Sequence, residues 1–296
     1  MALARIDRQQ SGGLTIVAFP AAALGVIIPA APATARSVLE AWPDAAVAID
    51  GPMFGYCAGE PQDYASYRCG RVDYLLQDAR SGTWNPGNAS FATRGLTLSV
   101  KDGVAYASDD RSPLPGATVA VQGYPGLVLA GRIVVGQAAA GTPDAQPNLR
   151  VAVGVLADGR VAFARANASL YGFAQMLQAA GFVAAAYTDG GGSASLVLRR
   201  SDGSLEGTDS DDPGGRRVPS WIVAWSTVPD GSGPATGSAG TPAGTGSLTG
   251  GAGTGLSTLL SADAWRRAAP VVAVGGVSVL AAAALFLVLT QEPARS

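Results

Sequence analysis

The run Asp189-Gly190-Gly191-Gly192-Ser193 is the tightest constraint on how this chain can fold. Before it, Val183-Ala184-Ala185-Ala186-Tyr187 reads as a short buried strand. After it, Ala194-Ser195-Leu196-Val197-Leu198 alternates small or polar with apolar residues, as a half-buried strand does. Three successive glycines are costly in backbone entropy unless the backbone needs φ > 0 or a close approach to something. Two readings follow. One is a glycine-rich hairpin turn. The other is a turn whose amides, from Gly190 to Ser193, lie bare beside one carboxylate and one hydroxyl, an arrangement that hosts an anion such as phosphate.

The flanks narrow the choice. Leu170 to Gly181 is a short amphipathic helix closed by glycine, and a polar loop leads from the second strand to Gly215-Arg216-Arg217-Val218-Pro219-Ser220-Trp221-Ile222-Val223. Helix, strand, Asp-Gly-Gly-Gly-Ser, strand, loop, Arg-x-Val, strand: this order resembles the phosphodiester glycosidase family. Other stretches add to the resemblance. Ala45 to Phe54 is a buried strand ending in Asp50-Gly51-Pro52-Met53-Phe54, where the family carries Asn-Gly-Gly-Phe-Phe. Asp50 stands for the asparagine, and Pro52 for the second glycine, removing one amide donor. Ala117 to Gly131 is similar to the family's segment ending in Pro-Val-Leu-Val-x-x-Gly. Arg150-Val151-Ala152-Val153-Gly154 matches its Arg-Thr-Ala-x-Gly strand, with Val151 for threonine. Ser220 stands where the family has asparagine. The resemblance covers roughly residues 13–226.

Composition excludes several chemistries. None of the 296 residues is histidine, so a Ser-His-Asp triad, a Cys-His pair and a His-bearing zinc site are ruled out. Proton transfer is left to carboxylates, tyrosines, one lysine (Lys101) or the substrate. Arginine supplies the remaining positive charge and clamps phosphate well. The net charge of -2 argues against a nucleic-acid partner. Cys57 and Cys69 cannot close a zinc site; they form a disulfide across a loop or remain two thiols. The acidic stretch 201–217 lacks the spacing and closing glutamate of a calcium loop and reads as solvated. No metal or other cofactor is expected.

The chain divides into three parts: a domain over 1–228, a Gly/Ser/Thr/Pro-rich flexible linker over 229–257, and a membrane anchor over 258–296. The N-terminal region has features of a signal peptide, including Ala33-Thr34-Ala35. However, Pro20 and Pro29 interrupt its apolar run, and it reads as folded strands followed by a helix from Thr34 to Ala41. Residues 55–92 read as an irregular loop. Asp102-Gly103 and Asp158-Gly159 mark hairpins. The expected fold is α+β: mainly antiparallel sheets with a few short helices, plus a C-terminal transmembrane helix. Ala268 to Thr290, about 23 uncharged residues, is long enough to span a bilayer; the alternative is a helix packed on a partner. The expected location is a single-pass membrane anchor. The domain faces outside the cytoplasm or is exposed on a virion, in a bacterial or phage protein with a possible role in envelope or virion assembly.

The resemblance implies hydrolysis of a sugar-1-phosphodiester from a glycan or sugar-phosphate substrate. Ordinary glycosidases protonate a poor leaving group, whereas a phosphodiester leaves already stabilised. What remains is to hold the phosphate and stabilise the oxocarbenium-like sugar. On this reading Gly190, Gly191, Gly192, Ser193 and Arg150 contact phosphate, with Arg216 in reserve. Asp189 is the general base or charge stabiliser, and Asp50 is the second carboxylate or a hydrogen-bond partner of the sugar. The rival reading is a non-catalytic glycan-binding or structural module that keeps the same fold.

Overall fold

Apolar strands that expose two faces to packing partners must find a layer for each face, and here three antiparallel sheets do so around one shared core. The computed structural model describes residues 2–56, 70–87, 95–109, 112–208 and 215–228. Every strand pairing among them is antiparallel.

The largest sheet has seven strands, in the order Arg132–Ile133, Gly126–Leu129, Phe182–Gly190, Asn148–Leu156, Val161–Ala168, Leu14–Phe19 and Asp7–Ser11. A second sheet orders Leu205–Thr208, Leu196–Arg199, Ala45–Asp50, Trp221–Trp225 and Leu24–Ile27. The third orders Val104–Ser108, Leu96–Lys101, Val119–Gly123, Leu76–Asp78 and Thr83–Asn85. Val17, Phe163 and Val151 from the first, Val47, Ile49 and Ile222 from the second, and Leu76, Leu98 and Val121 from the third meet in the shared core. Phe19 and Phe163 pack edge to face there, with ring centroids 4.7 Å apart.

Each of the first two sheets covers its outer face with one short helix. Helix α1 (Ala35–Ala41) lies on the second sheet, and α2 (Leu170–Ala179) on the first. In α2 the buried residues Leu170, Phe173, Ala174 and Leu177 recur at helical spacing, and each large one contributes about 1.5–3 kcal/mol by burial. The Ser169 hydroxyl caps its first turn by accepting from the Gly172 amide, and Gly181, at φ 87°, ends it. Thr34 and Ser37 form a capping box on α1.

The mainly antiparallel architecture with few helices is as expected. Leu14–Phe19 and Leu24–Ile27 are buried strands, in agreement with a folded N-terminal region. Asp102 and Gly103 both have φ > 0, the conformation of a two-residue hairpin. Two stretches differ from expectation. Residues 55–92 carry strands, among them Leu76–Asp78 and Thr83–Asn85. Leu205–Thr208, within the acidic stretch, pairs with Leu196–Arg199. Leu76–Asp78 is fixed by a distant partner, Val119–Gly123, whereas Thr83–Asn85 and Leu205–Thr208 pair across local hairpins that their polar residues conceal. The Cys57–Cys69 pairing, the linker and the membrane span lie outside the described residues. Among the described residues no helix is long and apolar enough to cross a membrane.

The described ends of the chain meet: Ala2 pairs with Val228 and Leu3 with Thr227, beside the strand Trp221–Trp225.

Candidate active site

The glycine turn lies where the first two sheets meet. The strand Phe182–Gly190 leads into it from the seven-stranded sheet, and Leu196–Arg199 carries the chain away in the second. Gly191 to Ser193 form one 3-10 turn. Gly191 has φ 63°, a conformation that glycine adopts without strain.

A bulge turns Asp189 toward the site. Along the neighbouring strand Arg150 faces Gly190 and Ala152 faces Tyr187, so Thr188 and Asp189 together oppose the single residue Val151. Tyr187 packs with Ala152 on the α2 side, whereas Val151 belongs to the shared core. The extra residue therefore shifts the alternation of the strand. It puts Tyr187 and Gly190, three positions apart, on one face and leaves Asp189 directed toward the other.

The half-buried Asp189 accepts a hydrogen bond from the Gly190 amide at 2.7 Å. This amide is therefore engaged by the carboxylate beside it. Burial pushes the Asp189 carboxyl up to about 6, against the opposing pull of the Gly190 amide, the Ser193 hydroxyl and the Arg216 guanidinium. Arg216 Nη1 stands 3.5 Å from Ser193 Oγ. The guanidinium covers Gly192 so closely that a Cβ there would collide with Nη2 and lie 2.6 Å from Cζ. Glycine at 192 thus admits the arginine. Gly191, Gly192, Ser193, Asp189 and Arg216 form one constellation.

Asp50 approaches from the second sheet. It ends the strand Ala45–Asp50, is 0% exposed, and accepts from the Ser195 amide through Oδ1 at 2.9 Å. Its Oδ2 is buried with no hydrogen-bond partner. Burial and then the charge of Asp189 raise its carboxyl well above the usual carboxylate range; the Ser195 amide and Arg165 oppose this. The loop after Asp50 joins both sheets. Gly51 donates to the Ser220 carbonyl at 2.9 Å, and Met53 donates to the Thr188 carbonyl at 2.8 Å. A Cβ on Gly51 would collide with Ser220 Oγ and lie 2.8 Å from the Ser220 carbonyl. Ser220 Oγ is itself buried without a partner.

Arg150 is placed differently from the others. Its guanidinium is 4% exposed and donates to the Pro143 carbonyl at 2.9 Å, Tyr187 Oη at 3.2 Å and Asp144 Oδ1 at 3.4 Å. The Tyr187 hydroxyl in turn abuts Gly190, where a Cβ would collide with it and stand 2.6 Å from the Leu149 carbonyl. Arg150 touches the turn through Tyr187, and its guanidinium is occupied on the α2 side of the sheet.

Arg165 enters the site without having been singled out from the sequence. Its Nε donates to the Ala194 carbonyl at 3.2 Å, and its charge acts on Asp50. The signal was available: Val161, Phe163 and Arg165 alternate along one strand, and the first two are core residues, so the third must also face inward. A charge at an inward position needs a partner or a task. Among the described residues no group of three or more carboxylates or thiols stands together as a metal site.

The sequence profile of the phosphodiester glycosidase family matches residues 44–225, and the chain belongs to that family. Among solved structures it is similar to the zebrafish N-acetylglucosamine-1-phosphodiester alpha-N-acetylglucosaminidase catalytic domain auto-inhibited by its pro-peptide. That match has a TM-score of 0.52 at 16% identity and covers 76% of this chain and 82% of that one. It is also similar to a hypothetical protein from Synechocystis, with a TM-score of 0.47 at 17% identity over 76% of this chain and 61% of that one. At these identities the likeness is one of fold. No curated protein matches by sequence.

Proposed function

We propose that the chain hydrolyses a sugar-1-phosphodiester, breaking the bond between the anomeric carbon and the phosphate oxygen. The observation that supports this most is the joint placement of Asp189, Ser193 and Arg216 around Gly192. An anion seat and a carboxylate of raised pKa thus share one turn. In this reading the phosphate lies against Ser193, the Gly191–Gly192 backbone and Arg216. Arg216 neutralises its charge and favours its departure. Asp189, ionised above about pH 6, faces the sugar, where it stabilises the developing positive charge and takes a proton from the attacking water. The hydroxyl joins the anomeric carbon, and the proton ends on the released phosphate ester. Arg150 acts from behind, through Tyr187.

A tether completes the reading: Ala268–Thr290 as a bilayer span, joined to the domain by the linker 229–257. A glycan-bearing envelope polymer is then the substrate class that a membrane-held domain meets.

Incubating the full chain in detergent with a panel of sugar-1-phosphodiesters, alongside Asp189→Asn, tests this. Sugar release that depends on Asp189 supports the assignment. Two features favour the rival reading of a glycan-binding module: Pro52, which brings no amide, and Ser220, whose hydroxyl has no partner. Saturable glycan binding without release by the wild type would select that reading.

A further inference from the structure

We propose that Asp50 is a positioning residue that fixes the downstream end of the glycine turn together with Arg165, and that it does not touch substrate. Two consecutive residues just past the turn are gripped from opposite sheets. Arg165 of the seven-stranded sheet donates to the Ala194 carbonyl at 3.2 Å, and Asp50 of the second sheet accepts from the Ser195 amide at 2.9 Å. Inside this grip the turn closes on itself. The Ala194 amide donates to the Gly191 carbonyl at 3.2 Å, and Ser195 Oγ donates to the Ser193 carbonyl at 2.9 Å. The upstream end is set by Tyr187 and Arg150. Ser193, and with it the seat for Arg216, is thereby held from both sides.

Complete burial removes Asp50 from the reacting atoms, and one oxygen does its positioning work. The other oxygen has no donor. The charged groups facing the side chain are Asp189, from the neighbouring sheet, and Arg165. An ionised Asp50 would place a second negative charge beside Asp189 at a seat meant for phosphate. A neutral acid avoids this and is, in shape and hydrogen bonding, the counterpart of an asparagine. The task therefore needs an acceptor at Oδ1 but no charge.

The effect on turnover rests on the phosphodiester-glycosidase reading above; the effect on the turn does not, so the two are measured separately. Backbone amide exchange at Ser195 is followed in the substrate-free wild type, Asp50→Asn and Asp50→Ala, and kcat and KM are then measured with a sugar-1-phosphodiester. Asp50→Asn keeps the Ser195 amide protected to within about threefold and keeps kcat/KM within a similar factor. Asp50→Ala exposes the amide, with exchange at least about tenfold faster and a rise in KM larger than the fall in kcat, as the seat loosens. If Asp50→Ala does not fold, the asparagine variant decides alone. A loss of about a hundredfold in kcat in Asp50→Asn, with Ser195 still protected, would overturn the proposal and make the proton of Asp50 part of the chemistry. A wild type that turns over no sugar phosphodiester sinks the functional reading, and the exchange comparison still judges the clamp.

Discussion

Asp50 and Asp78 are both aspartates at the ends of buried strands, exposed 0% and 1%, and burial raises the carboxyl of each. They differ in what their oxygens meet. Asp78 accepts from the Val26 amide at 2.9 Å through one oxygen and from the Arg80 amide at 2.8 Å through the other, stapling the third sheet to the second. Asp50 accepts one amide and leaves Oδ2 bare, with a second carboxylate and an arginine nearby. A buried acid with both oxygens engaged is a structural fastener. One left half-filled beside another acid marks a place where charge is being managed. Hydrogen-bond capacity, more than burial, separates the two.

The comparison can be broken in four ways. The largest effect is expected at Asp189, the acid that the proposed reaction turns toward the sugar: Asp189→Asn lowers kcat about a thousandfold in steady-state assays while the melting temperature stays near that of the wild type. In the wild type kcat/KM rises with pH through about 6, as Asp189 ionises. Asp78→Asn comes next, through stability alone. An amide NH2 would face a backbone N–H, costing about 2–3 kcal/mol by denaturant unfolding, and the pH profile of turnover would keep its shape. If Asp78→Asn proves as mild as Asp50→Asn, the distinction by oxygen capacity fails. Gly192→Ala drives Arg216 from its seat and raises KM about tenfold, roughly 1.4 kcal/mol, with little change in unfolding free energy.

The smallest effect is a stabilisation by Asp50→Asn that depends on pH. The folded protein holds the Asp50 proton more tightly than the unfolded chain does, whose carboxyl titrates near 3.8. The contribution of the neutral acid is therefore whole below that pH and is lost as pH rises toward the folded value. Asparagine has no proton to lose. The two melting temperatures should coincide in acid and separate by a few degrees toward neutrality, with the variant higher, or Asp50 is not neutral in the folded protein.

Local pattern carried much of this molecule. The turn at 189–193, the strand ending at Asp50, the capped helix from Leu170 and the Asp102-Gly103 hairpin each follow from neighbouring residues. What pattern could not carry was register. Arg150 opens an apolar strand beside the turn and so reads as a ligand, but the bulge at Thr188–Asp189 places its partner Tyr187 on the opposite face from the acid. The engagement of the Gly190 amide by the neighbouring carboxylate is likewise a matter of side-chain direction. Arg165 was legible by alternation, yet its closeness to Asp50, 115 positions away in the chain, depends on two sheets meeting.

The pairing of the strand Trp221–Trp225 has a mechanical meaning. Trp221–Trp225 is paired on one side with Ala45–Asp50 and on the other with Leu24–Ile27. A load applied at Val228 first meets the two-residue pairing with Ala2 and Leu3, and behind it a strand held along both edges, which resists peeling better than an edge strand. At its far end Trp221 stands directly opposite Asp50. Tension on the chain beyond residue 228 would thus be felt one rung from the clamp on the glycine turn.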